Sequence, residues 1–189
     1  MTSSPRKMRL TQALVDKLPT SVEEQGPVRV PTPPPEYYET TATNILDQLG
    51  PDDPLWVLAI GSLIWNPRFD VVERRAADVE GWHRAFCIGP DTRRRGNPAQ
   101  PGRMLSLDAG GACNGIVMRM KTDGRAVALR ALLETEPPVP PSWVRAETPQ
   151  GAVEAIAVKD HPAVQLYEAA PTEDEHGGNK DRDGGKGGS

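Results

Sequence analysis

The sequence predicts an α+β domain built on a small, mixed, barrel-like β-sheet with few helices. Three observations predict it. A continuous apolar run, Leu55 to Ile60, has strand length and is bounded by Pro54 and Gly61. Several later stretches alternate or are rich in β-formers, and Gly- and Pro-containing turns separate them. Only one segment, Arg125 to Glu134, reads as a principal amphipathic helix.

The elements follow in order. Residues 1–53 read as a lead-in that is partly helical and Pro-rich. Thr11 to Leu18 suits a short helix. Pro27, Pro31, Pro33, Pro34 and Pro35 remove backbone donors and fix an extended path. Thr43 to Leu49 suits a second short helix, stopped by Gly50-Pro51. The domain proper is expected over 54–170. Its first strand, Leu55 to Ile60, is apolar throughout and is expected to be buried on both faces.

Asp78 to Ile88 reads as a bent strand with Gly81 at the bend. Met104 to Leu107, the Gly-rich stretch Asp108 to Gly111, and Cys113 to Met120 read as a β-hairpin. In the helix from Arg125, the apolar side chains Val127, Leu129, Leu132 and Leu133 form its core face. Prolines after Glu136 end it. Trp143 to Thr148, the turn Pro149-Gln150-Gly151, and Val153 to Val158 make a second hairpin. Residues 171–189 carry no apolar group that could offset ordering entropy, so they read as a disordered tail.

Composition excludes several classes. The net charge of −4 argues against a nucleic-acid partner, since phosphate binding needs a surplus of Lys and Arg on one face. No apolar run approaches the roughly 18 residues of a membrane span, and no apolar stretch backs the charged N-terminus as in a signal peptide. A protein off the membrane, in the cytoplasm, is the expectation. Cys87 and Cys113 are the only cysteines, and they read as small core residues. No Cys/His spacing suits a metal, and no glycine pattern suits a nucleotide or dinucleotide, so neither metal nor cofactor is expected.

Four places could carry chemistry. Gly61-Ser62-Leu63 ends the first buried strand, where successive N–H groups can cradle a carboxylate or an oxyanion; an ordinary tight turn is the other reading. Ser62 lacks the second glycine of a nucleophile elbow, because Ile64 stands there. Glu136 closes the principal helix at its negative end, an unfavourable place for a carboxylate. In apolar surroundings its pKa would rise and it could serve as a base near neutral pH. Glu134 competes with it, and spacing alone does not separate the two. Arg93-Arg94-Arg95 could hold a substrate carboxylate or form a solvated loop. His83 reads as a satisfied strand histidine, and Trp56, Trp65, Trp82 and Trp143 read as core.

Five strings in order resemble the ChaC-like γ-glutamylcyclotransferases. They are Ile60-Gly61-Ser62-Leu63-Ile64-Trp65-Asn66-Pro67, then Gly81-Trp82-His83-Arg84-Ala85-Phe86-Cys87. Next come Arg95-Gly96 with Pro101-Gly102, Leu107-Asp108 with Gly110-Gly111 and Cys113-x-Gly115, and finally Thr135-Glu136. The resemblance covers roughly residues 54–160. It implies a γ-glutamylcyclotransferase-like fold and the cleavage of glutathione, or another γ-glutamyl compound, to 5-oxoproline. It also implies Glu136 as catalytic acid/base, with Ile60, Gly61, Ser62, Leu63 and Arg95 against the substrate. Ile60 stands where the family has Tyr, and Thr135 where it has Arg. The family continues into a helical region that this chain lacks after about Ala170, so the domain is expected to be C-terminally truncated. Three alternatives stand beside this reading: a non-catalytic relative, a cyclotransferase for other γ-glutamyl substrates, and a generic β-rich binding domain for which the ordered strings would be coincidence.

Overall fold

The computed structural model describes residues 33–92 and 96–157. The expected helix at Thr11–Leu18, the side chains of Arg93 to Arg95, Val158 and the tail lie outside the described residues.

Helix α1 (Pro35–Leu46) opens on a proline, where the missing N–H would have no helical partner anyway. The expected extended path through Pro35 and the short helix at Thr43–Leu49 are thus replaced by one longer helix. Tyr38, Ala42 and Ile45 recur at helical spacing and are buried.

Strand β1 (Trp56–Ala59) is buried at all four positions, as its unbroken apolar run predicts. Alternation sends its side chains into two different cores. Trp56 and Leu58 enter an inner core with Ala77, Val79, Leu107 and Val117. Val57 enters an outer core with Tyr38, Ile45, Leu129 and Leu132, and so packs under the helices.

Strands β2 (Val71–Asp91) and β3 (Gly102–Met120) pair antiparallel along nearly their whole length. The bend expected at Gly81 is present: Gly81 has φ 81° and the ladder slips between Glu80 and Trp82. The hairpin expected at Asp108–Gly111 does not form. Gly110 and Gly111 have φ 90° and 68° and sit opposite the Gly81 slip. Both strands therefore bend at one level, and β3 continues through the bend instead of reversing.

Helix α2 (Arg125–Thr135) buries Leu129, Leu132 and Leu133. Val127, expected on the core face, is instead 75% exposed, because it lies off the narrow buried stripe. The second hairpin forms as predicted, from β4 (Ser142–Ala146) and β5 (Val153–Ala157), with Gly151 N–H donating to Thr148 O at 3.0 Å.

The sheet order is β2-β3-β1-β5-β4, with β1 and β5 parallel and the other neighbours antiparallel. This bears out a mixed sheet with few helices. The sheet is not a closed barrel, because its two edge strands do not pair as a ladder. Among the described residues the one backbone bridge between these edges is where Asp78 and Glu147 exchange hydrogen bonds of 2.9 and 2.8 Å. The Asn114 side chain also donates to the Asp78 carboxylate there.

Charged groups lock the periphery. Arg75 stacks over Trp56 at 4.5 Å and pairs with Glu73 at 2.7 Å, and Arg119 meets the same carboxylate at 3.2 Å. The Arg75 hydrogen bond, helped by both guanidinium charges, holds the Glu73 carboxyl below the usual carboxylate range. Arg130 on α2 joins Glu39 of α1 at 2.5 Å.

The two faces of α2 should respond differently to truncation. Leu132→Ala removes a buried side chain and should cost about 2–5 kcal/mol in chemical denaturation. Val127→Ala, on the exposed side, should stay within about 0.5 kcal/mol.

Candidate active site

The strand directions decide which groups share an end of the sheet. β3 runs antiparallel to β1 and finishes where β1 begins, with Met120 N–H donating to Leu55 O at 2.9 Å. Helix α2 starts at that same end: Arg125 Nη1 donates to Asp53 O at 2.7 Å. It then delivers the chain to β4, which begins with Ser142 opposite Ala157, one residue past the Ile156–Val57 level. Helix α2 therefore runs in the direction of β1, and Glu136 at its close lies at the end where β1 finishes. The Gly61–Leu63 turn lies at that end too. The outer core that takes Leu132 and Leu133 also takes Leu63.

The turn itself is a single 3₁₀ turn, Ser62–Ile64, entered through Gly61. Ile64 N–H donates to Gly61 O at 3.0 Å, and Trp65 and Asn66 N–H donate to Ser62 O at 3.1 and 2.9 Å. Among the described residues, no group accepts from the N–H of Gly61, Ser62 or Leu63. Two side chains pin the turn on either side: Ile60 packs on the inner core and Leu63 on the outer one. Trp65, expected in the core, is 79% exposed, since the turn that precedes it points it outward. Trp56 is buried, Trp82 packs on the inner core, and Trp143 packs on the outer core while its Nε1 donates to Gln48 at 2.8 Å.

Glu136 is half-buried and takes an extended conformation as it leaves α2. Glu134 is different. It sits on the exposed side of the helix and accepts from Arg130 Nε at 3.0 Å, an i,i+4 ion pair of ordinary surface kind. Geometry thus separates two carboxylates that spacing left equivalent. Arg95 lies outside the described residues.

The hairpin arm beyond the Gly81 bend returns over the turn. A β-carbon on Gly61 would meet Leu105 Cδ2 at 3.8 Å. Leu105 and the inner-face residues of the arm were not singled out in the sequence. The alternation of Trp82 and Arg84 after a glycine bend was the available signal. His83 Nδ1 lies 3.0 Å from Gly110 O and ties the two sides of the bend together, a satisfied strand histidine. Cys87 and Cys113 form no disulfide and are buried. Burial pushes the Cys113 thiol up, and the nearby charge of Arg84 opposes that only in part. Among the described residues, no group of three His, Cys, Asp or Glu side chains could hold a metal ion. No helix there is long and apolar enough to cross a membrane.

An open depression of about 370 Å³ lies elsewhere, at the start of α2, lined by Phe69, Asp70, Met120, Lys121 and Val127 among others. It is at the opposite end of the sheet from Glu136 and takes no part in the site.

Comparison with known proteins agrees with this architecture. Residues 55–139 match the sequence model of the family described as ChaC-like protein. The chain is 36% identical over 124 residues to the glutathione-specific gamma-glutamylcyclotransferase of Escherichia coli (strain K12), covering 63% of this chain and 53% of that protein. It is 32% identical over 103 residues to glutathione-specific gamma-glutamylcyclotransferase 1 of Rattus norvegicus, covering 53% and 46%. The chain thus spans about half the length of the curated relatives it matches. A crystal structure of a yeast gamma-glutamyl cyclotransferase specific to glutathione superposes with a TM-score of 0.52 at 19% identity, over 66% of this chain and 76% of that one, a likeness of fold.

Both thiols should resist chemistry in the folded state. Iodoacetamide at pH 8 should modify Cys87 and Cys113 at least about 100-fold more slowly in native protein than in denaturant, because the thiolate is the reactive form and neither sulfur is accessible. Intact-mass measurement over time checks this.

Proposed function

Through residues 55–139 the chain belongs to the ChaC-like family, and from that premise we propose that it is a γ-glutamylcyclotransferase acting on glutathione. The reaction would release 5-oxoproline and Cys-Gly. The observation that carries the proposal is that Glu136 lies at the same end of the sheet as the amides of Gly61, Ser62 and Leu63, from which no described group accepts.

In this reading the nucleophile belongs to the substrate. The α-amine of the γ-glutamyl group attacks its own γ-carbonyl carbon. A five-membered ring closes, and the bond from that carbon to the cysteinyl nitrogen breaks. The enzyme has three tasks. It folds the substrate so that amine and carbonyl meet, which can supply several kcal/mol. It removes a proton from the ammonium and returns one to the departing nitrogen. Glu136 suits both, since one carboxylate can accept and then donate in sequence. It also stabilises the oxyanion of the tetrahedral intermediate. The N–H groups of Gly61, Ser62 and Leu63 suit that task, each such donor being worth about 3–4 kcal/mol by analogy with other oxyanion sites.

Ile60 and Leu63 brace the turn from its two sides, and Arg95 is the further substrate contact in this proposal. The sheet curls so that β2 and β4 approach each other, and the Asp78–Glu147 bridge joins them without closing a barrel. A cytoplasmic setting fits two buried cysteines that form no disulfide, because that compartment keeps thiols reduced.

Glu136→Gln should lower 5-oxoproline formation about 10²- to 10⁴-fold with an unchanged thermal midpoint. Glu134→Gln, which loses only a surface ion pair, should keep near-full turnover. A Glu136→Gln variant with wild-type turnover would remove the carboxylate from the mechanism.

A further inference from the structure

The hairpin arm carries a cation whose surroundings do not explain it. Arg84 lies directly opposite Leu107 in the β2–β3 ladder, and residues so placed share a face. Leu107 belongs to the inner core, so Arg84 projects from the concave side of the arm. Leu105 lies two residues earlier on β3 and shares that side; its side chain reaches Gly61. The charge of Arg84 is felt at the thiol of Cys113, another inner-core residue, which agrees with this direction. Yet Arg84 is exposed, and among the described residues its guanidinium makes no ion pair or hydrogen bond. Arg75, Arg119, Arg130 and Arg145 each face a carboxylate.

We propose that Arg84 anchors the glycyl carboxylate of glutathione, the end of the substrate farthest from the bond that breaks. The proposal rests on the function inferred above and names the determinant of its substrate choice. A guanidinium matches a carboxylate in shape and charge and can grip it through two parallel hydrogen bonds. The other carboxylate of glutathione is a poor match for this position. It shares a carbon with the attacking amine, so it stays beside Glu136 and the Gly61 turn. The Cys-Gly portion, when extended, carries the glycyl carboxylate about 7 Å beyond the reacting carbon. Leu105 and Leu107 are separated by about 7 Å along β3, and Arg84 stands opposite Leu107. Arg84 therefore rewards substrates with a second carboxylate at that reach, and γ-glutamyl amines have none.

Arg84→Gln and Arg84→Lys, assayed with glutathione and with its glycyl monoethyl ester, test this. Arg84→Gln should raise KM for glutathione about 10- to 100-fold while kcat stays within about twofold, the loss expected for hydrogen bonds between charged groups. Arg84→Lys should fall between the two. With the ester, wild type and Arg84→Gln should share one raised KM. Since Arg84 is exposed, the thermal midpoints should agree. A wild-type KM in Arg84→Gln, or a variant that still prefers glutathione over the ester by the wild-type factor, overturns the assignment. If wild type cleaves neither compound, the cyclotransferase reading fails separately. Arg84 is then judged by the NMR resonance of its Nε–H during titration. A shift with glutathione and not with the ester supports the anchor, whereas no shift, or equal shifts, overturns it.

Discussion

Strand β1 has to be buried on both faces, and most of the architecture follows from that requirement. All four of its residues are buried, Trp56 and Leu58 in one core and Val57 in the other, and neither core can be supplied by the sheet lying flat. Helices α1 and α2 cover one face. The other face is covered by the sheet itself, which curls because β2 and β3 bend together at Gly81, Gly110 and Gly111. A side chain with a β-carbon is strained at those positive φ values, so the glycines permit the curl and the apolar inner face drives it. The Asp78–Glu147 bridge then holds the edges where they meet.

The parts of this fold that were legible in the sequence are those decided locally. The apolar run at Leu55–Ile60 and the turn at Pro149–Gly151 carry their own signals. The Gly-rich stretch after Asp108 does not. Glycines that allow a two-residue reversal also allow a shared bend, and the choice is made by the partner strand some thirty residues earlier. The same holds for Val127 and Trp65, apolar residues whose exposure depends on the direction in which neighbouring elements point them. Pro35 shows a different ambiguity. Proline fixes φ at a value that suits both an extended path and the first turn of a helix, and the buried Tyr38–Ala42–Ile45 stripe favours the second.

The candidate site was legible in its residue types and less so in its partners. Glu136 and Gly61–Leu63 stood out because each ends an element, and topology brings those ends together. Glu134 differs from Glu136 in its exposure and its ion pair with Arg130, both of which depend on which way α2 faces. Arg84 was invisible as a candidate because its face is set by the bend preceding it. Alternation identifies which residues of an arm share a side. It does not say which side is concave until both strands are known to bend.

A mechanism in which the substrate supplies the nucleophile places modest demands on side-chain chemistry and severe ones on placement. Backbone amides at a pinned turn are well suited to that, since they carry no rotamers to freeze. A carboxylate leaving a helix packed on the same core as the turn is positioned by burial of Leu132 and Leu133, not by a mobile loop. Such a reaction centre has little means of telling one γ-glutamyl compound from another, because all present it with the same amine and carbonyl. Discrimination has to come from the far end of the substrate. The bent hairpin arm, which brings Leu105 to the Gly61 turn, is the element that would reach over it, so the curl that completes the inner core is also what would give the site a second point of attachment.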